Sequence, residues 1–118
     1  LYNLWYAKDY IKDTKTIIVV ESPGNVWKLE ECGFRNSVAI FGSSMSDTQK
    51  MLIDSSGAMQ MILLLDNDEA GQKATSIISK KCSRTYNIYT PAFVTTDIAD
   101  MSTETIITEL TKLTERFI

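Results

Sequence analysis

Five carboxylates sit where the chain passes from an apolar run into a polar turn. Glu21 follows the run Thr16 to Val20 (TIIVV), and Asp66 and Asp68 follow Gln60 to Leu65 (QMILLL). Asp97 and Asp100 lie in the acidic stretch after Pro91. Carboxylates crowded at one place repel one another, and a hard divalent cation removes that cost. Ligands that are all oxygen select Mg²⁺, Mn²⁺ or Ca²⁺ over zinc. In Asp66-Asn67-Asp68 the two carboxylates are two residues apart, so at an extended strand end they project to one side and Asn67 to the other. Gly71, three residues past Asp68, falls in the first turn of a helix, where glycine costs about 1 kcal/mol relative to alanine. Close approach by the sheet or by a bound phosphate would explain it. A lone D-x-D is more often a helix cap than a ligand pair. The metal reading rests on the combination of V-V-E at one strand end and L-L-D-N-D-E-A-G at another.

The elements that must position these groups are legible as alternating apolar runs and helical periods. Leu1 to Asp13 predicts a helix. Thr16 to Val20, Ser37 to Phe41, Gln60 to Leu65 and Thr85 to Tyr89 predict strands, most of them apolar throughout and so buried on both faces. Between them the spacing predicts helices: one with Val26 and Leu29 inward and Gly33 at its C-terminus, and one opened by the capping box Ser46-Asp47-Thr48-Gln49 and running to about Asp54. A third runs from about Asp68 to Lys81 with Ala70, Ala74, Ile77 and Ile78 on its core side. Lys80 and Lys81 suit its negative end. A last helix, about Ser102 to Phe117, carries a stripe of Ile106, Leu110, Leu113 and Phe117. Strands alternating with such helices make an α/β fold with a central, mainly parallel four-stranded sheet and helices on both faces. In such sheets the ligand site lies beyond the carboxyl ends of the strands, where Glu21, Asp66, Asp68 and Asp97 stand.

Composition narrows the chemistry. The chain has 118 residues, 12 basic and 15 acidic side chains, net charge −3, and no His. Without His, and with Cys32 and Cys82 far apart, a structural zinc site is not expected. The cysteines read as small buried hydrophobes, as in a reducing, cytoplasmic compartment. No apolar run is long enough to span a membrane, and no signal peptide is recognisable. The chain opens on Leu1, as a piece of a longer protein would. A domain gripping nucleic acid unaided usually has a basic excess, so a metal or a neighbouring domain must offset phosphate charge. Trp5, Tyr6, Tyr10 and Trp27 read as packing residues, with base stacking the alternative. Met45, Met51, Met59, Met61 and Met101 read as core fillers. Lys73 is a phosphate contact or a solvated surface lysine.

The stretches Ile17 to Gly24 (IIVVESPG) and Leu63 to Ala74 (LLLDNDEAGQKA) resemble the signature of the Toprim domain, a Rossmann-like module found in primases, topoisomerases, recombination mediators and some nucleases. D-N-D-E-A-G-Q-K-A looks like the form found in bacterial and phage DNA primases. Phe41 to Gln49 (FGSSMSDTQ) resembles a primase motif lying between the two acidic ones. Leu1 to Ile11 looks like the stretch joining a primase's N-terminal subdomain to its Toprim core. The resemblance implies residues 1–15 as a helical link and 16–118 as the Toprim domain. It implies Mg²⁺ or Mn²⁺ held by Glu21, Asp66, Asp68 and Asp97, with catalysis by Glu21, Asp66 and Asp68, and with Asn25, Gly71, Lys73 and Asp100 as accessory positions. The implied activity is RNA primer synthesis from nucleoside triphosphates on single-stranded DNA, with a replicative helicase as partner of the full-length protein. The isolated fragment is expected to make little or no primer. Two departures stand out. Ser22-Pro23 after Glu21 is the form of type IA topoisomerases, and Asn25 stands where primases carry Asp. Strand breakage by a topoisomerase, metal-dependent nuclease action, and a non-catalytic nucleic-acid-binding module are therefore the alternatives.

Overall fold

The computed structural model describes residues 1–115. Four strands, β1 (Thr16–Val20), β2 (Ser37–Ala39), β3 (Gln60–Leu63) and β4 (Asn87–Tyr89), form one sheet in the order β2-β1-β3-β4. Every pairing is parallel, with Val19 opposite Val38 on one side and Leu63 on the other. The helices are α1 (Leu4–Thr14), α2 (Pro23–Glu31), α3 (Asp47–Asp54), α4 (Glu69–Cys82) and α5 (Thr103–Thr114), with a short 3₁₀ turn at Ile98–Asp100.

The unbroken apolar character of β1 has a direct cause. Ile17 and Val19 face a core with Ala7 and Ile11 of α1, Ile53 of α3, and Ala74, Ile78 and Cys82 of α4. Ile18 and Val20 face a second core with Val26 and Leu29 of α2, Ile98, and Ile106 and Leu110 of α5. A strand covered on both sides must be hydrophobic at every position.

Local signals hold where they were chemically specific. Ser46 accepts from the Gln49 N–H at 3.1 Å while Gln49 Oε1 accepts from the Ser46 N–H at 2.9 Å, a complete capping box. After α2, Gly33 takes a positive φ of 92°, and the Phe34 N–H reaches back to the Leu29 carbonyl at 2.9 Å.

Several expectations are corrected. The first helix starts at Leu4 rather than Leu1, because Tyr2 forms an antiparallel bridge with Ala39 and Asn3 turns through a left-handed conformation. Strand β2 stops at Ala39, short of Phe41, whose φ is +59°. The last strand begins at Asn87 rather than Thr85. On α4, Gly71, Ala74, Ile78 and Cys82 face inward, whereas Ala70 is exposed and Ile77 is 55% exposed. Met51 and Met59 are exposed too, so only Met45, Met61 and Met101 fill core. Cys32 is partly buried and Cys82 fully; both are free. Lys81 serves the N-terminus of α3 as well as the end of its own helix: its ammonium pairs with Asp47 at 2.6 Å and donates to the Met45 carbonyl. Leu113 is half-buried against the second core; Phe117 lies outside the described residues. Among those residues no helix is long and apolar enough to cross a membrane.

Candidate metal centre at the strand ends

Glu21 leaves β1 and Asp66 leaves the run that extends β3 through Leu64 and Leu65. Since β1 and β3 are neighbours in parallel register, these carboxylates emerge side by side. The Glu21 carboxylate accepts the Asp66 backbone N–H at 2.7 Å, across 45 positions of sequence. The Asp66 side chain lies against Glu21 as well. Its Oδ1 is buried and has no hydrogen-bond partner among the described residues. Partial burial, then the adjacent Glu21 carboxylate, and beyond it Asp97 and Asp68, push the Asp66 carboxyl up to about 7. Bringing like charges out of water has this sign, because it penalises the ionised form.

Gly71 now has a specific reason. A Cβ there would meet the Asp66 carbonyl oxygen at 1.9 Å. The approach that excludes a side chain is that of the strand end itself. Only glycine lets the first turn of α4 lie against the backbone of Asp66. The Gly71 N–H also donates to Asp68 Oδ1 at 2.6 Å, so Asp68 is the N-cap of α4.

Asn67, read from sequence as a mere spacer, ties down the loop after β4. Its N–H donates to the Thr96 carbonyl at 2.6 Å, its amide to the Thr95 carbonyl at 3.2 Å, and its Oδ1 accepts from Gln72 at 2.8 Å. That clamp brings Asp97 to the rim. Asp97 in turn caps the 3₁₀ turn, accepting the Asp100 N–H at 2.9 Å, and Asp100 is exposed and bonded to Thr96. A polar residue between two acids was the available signal for Asn67; its long-range partners were not readable.

Asn25 is buried in the first turn of α2 and makes no side-chain hydrogen bond among the described residues. Ser22-Pro23 opens α2, with Pro23 at the helical start, where its missing N–H costs nothing. Helix initiation accounts for that dipeptide. Lys73 is exposed on α4 and takes part in no ion pair among the described residues.

The rim thus gathers Glu21 and Asp66 in contact, with Asp68 and Asp97 close enough to act on Asp66 electrostatically. As they stand, Asp68 and Asp97 serve as helix caps, and among the described residues no group of three acidic, His or Cys side chains closes on a single point. The donor chemistry nonetheless fits a hard cation. All the groups are oxygen donors, one carboxylate oxygen is buried and unpartnered, and the pair beside it is held together against charge repulsion.

The chain matches the Toprim domain family over residues 15–90. It is 36% identical over 74 residues to a DNA primase of Aquifex aeolicus and 39% identical over 75 residues to one of Campylobacter jejuni. Those alignments cover 63% and 64% of this chain but only 15% and 12% of the relatives, so the chain spans a small part of their length. The crystal structure of the Aquifex aeolicus primase, comprising its zinc-binding and RNA polymerase domains, superposes with a TM-score of 0.78 at 30% identity, over 97% of this chain and 28% of that one. The RNA polymerase domain of the Mycobacterium tuberculosis primase, in complex with double-stranded DNA, shares the fold at a TM-score of 0.73 and 20% identity, over 97% of this chain and 38% of that one. Toprim domains of primases are in general metal-binding. By its family match, its all-parallel four-stranded sheet and its strand-end acids, this chain belongs to the Toprim domain family.

Proposed function

We propose that this chain is the metal-dependent catalytic module of a DNA primase, building RNA primers from nucleoside triphosphates on single-stranded DNA. The observation that carries the proposal is the Glu21–Asp66 pair at adjacent parallel strand ends, with Asp66 Oδ1 buried and unpartnered. Glu21, Asp66 and Asp68 are the residues to hold Mg²⁺ or Mn²⁺, with Asp97 as a further ligand. When bound, the ion would neutralise charge developing on the triphosphate and orient the attacking hydroxyl. The chain's own contribution is position. Glu21 locks the end of β1 to the backbone of Asp66. Gly71 lets α4 start against the same carbonyl, and Asn67 holds the loop carrying Asp97. Each contact fixes a carboxylate to the sheet, which is the preorganisation that charge stabilisation requires. Asn25, in the first turn of α2, and Lys73, on α4, would be accessory positions.

The acidic balance of the chain supports a division of labour in which the template is gripped elsewhere in the full-length protein, which would also engage a replicative helicase. In that protein residues 1–15 would serve as the link into the preceding subdomain. The test has two parts. Titrating Mg²⁺ or Mn²⁺ into the 118-residue chain should raise its Tm, and Asp66→Asn should remove the rise. In the full-length protein, primer synthesis should require Asp66. An unchanged metal response in Asp66→Asn, or near-normal synthesis, would overturn the assignment.

A further inference from the structure

Beside the acidic rim stands a tier of aromatic rings that takes no part in the carboxylate cluster. Tyr2 bridges to Ala39 at the end of β2. Its ring packs edge-on to Phe41, centroids 6.1 Å apart and planes at 79°. Its hydroxyl accepts a hydrogen bond from Trp27 Nε1 at 2.9 Å. The polar handle of the indole is thereby satisfied internally, and the three rings brace one another. Yet Trp27 and Phe41 are each 62% exposed.

Phe41 is also held in a left-handed conformation, which a bulky residue adopts only where its surroundings dictate it. The next residue shows the anchor: the Gly42 N–H donates to the Glu21 carbonyl at 3.1 Å. The ring tier is therefore fastened to the residue that opens the metal rim. The loop from Ile40 to Ser46, which carries Phe41, contains no Asp or Glu, while on α2 Trp27 is followed by Lys28 and then by Glu30 and Glu31. Exposed rings braced by Tyr2, beside a loop free of carboxylates, suit a ligand with flat rings and a polyanionic backbone.

We propose that Trp27 and Phe41, braced by Tyr2, form a stacking platform for unpaired bases of a single-stranded nucleic acid passing the acidic rim. This rests on the reading of the rim as a nucleotidyl-transfer site and adds the surface that steadies the strand there. Stacking needs no particular base, because every base presents a π-face.

The test uses the 118-residue chain with Trp5→Phe, so that Trp27 is the sole reporter. Trp5 lies on α1 beside Lys8 and outside this tier. Titration with a short oligothymidylate at low ionic strength, with Mg²⁺ present to offset the charge of the acidic rim, should quench Trp27 saturably. Phe41→Asn removes the ring while suiting the left-handed backbone, and should weaken the interaction about tenfold, the scale of one stacked base. Phe41→Tyr should retain it. Absence of quenching, or equal affinity in Phe41→Asn with an unchanged melt, would overturn the proposal. So would quenching on self-association, seen as a concentration-dependent sedimentation coefficient without an oligonucleotide response; that outcome would make the tier a protein contact. Metal binding is read separately by the Mg²⁺-dependent rise in Tm, so failure of quenching with that rise intact leaves the metal assignment standing.

Discussion

Two carboxylates of this protein meet opposite fates. Asp54, at the end of α3, would be raised by burial, but the Tyr86 hydroxyl at 2.6 Å and the Lys50 ammonium at 2.9 Å hold it below the usual carboxylate range. Nearby, Lys81 holds Asp47 down in the same way. At the carboxyl end of the sheet Asp66 has no cation beside it among the described residues. Its neighbour is another carboxylate, one of its oxygens is orphaned, and its carboxyl is pushed up to about 7. The α3–α4 region spends its charges on joining helices. The rim keeps its charges uncompensated, which costs stability and leaves room for a ligand.

The sharpest way to break this contrast is Asp66→Asn in the full-length protein. Primer synthesis should fall more than about a hundredfold, since the electrostatic stabilisation a metal supplies amounts to several kcal/mol. The metal-free melt should hold or rise, because one of the repelling charges is gone. Asp68→Asn should likewise abolish synthesis. Asn caps a helix about as well as Asp, so a capping role alone would leave activity intact.

Gly71→Ala should be the most damaging small change. The added methyl meets the Asp66 carbonyl at 1.9 Å, and relieving such a clash costs about 1–3 kcal/mol. A drop in Tm together with a lost Mg²⁺ response would fit. A neutral Gly71→Ala would mean that α4 is free to move away from the strand end.

On the opposite side of the comparison, Tyr86→Phe should lower stability by about 1–2 kcal/mol, for a partly buried hydrogen bond to Asp54 is lost. Primer synthesis by the full-length protein should not change, and a loss of activity with an intact melt would dissolve the distinction between the two regions.

The smallest effect concerns pH. The folded pKa of Asp66 lies above that of an unfolded aspartate, so between about pH 4 and 7 the folded state binds more protons than the unfolded one. The metal-free protein should therefore lose stability as pH rises through that window. Allowing for solvent screening, the loss is on the order of 1–2 kcal/mol. Asp66→Asn should flatten this part of the curve, and Mg²⁺ at neutral pH should restore the loss. A melt that rises over the same window in the wild type but not in Asp66→Asn would reverse the sign assigned to this group.

Much of the fold was legible because its signals are local. The TIIVV run, the Ser46–Gln49 box and Gly33 each act within a few residues, and each stands where its chemistry says. The alternation of strands with helices then leaves few ways to build a covered parallel sheet. Ile77 and Ile78 mark the limit. Both fit a helical stripe, and only the packing of α4 on the sheet decides that Ile78 goes in and Ile77 out. Met51 and Met59 fail for the same reason, since hydrophobicity does not say which face has a neighbour.

At the site the division is similar. Residue types and strand-end positions singled out Glu21, Asp66, Asp68, Asp97 and Asp100 and their oxygen-only chemistry, because the end of an apolar run is visible in sequence; the family resemblance set Asp100 apart as accessory. That β1 and β3 are neighbours in the sheet is a tertiary fact, and it alone places Glu21 on the Asp66 backbone. The clash that reserves position 71 for glycine, the clamp from Asn67 to the β4 loop, and the bracing of Trp27 and Phe41 by Tyr2 likewise join residues far apart in the chain or across a turn. The sequence determines which groups are present and where each element ends. Distances between elements depend on how the sheet orders its strands, and an unpaired carboxylate oxygen or a forbidden Cβ exists only once those distances are set.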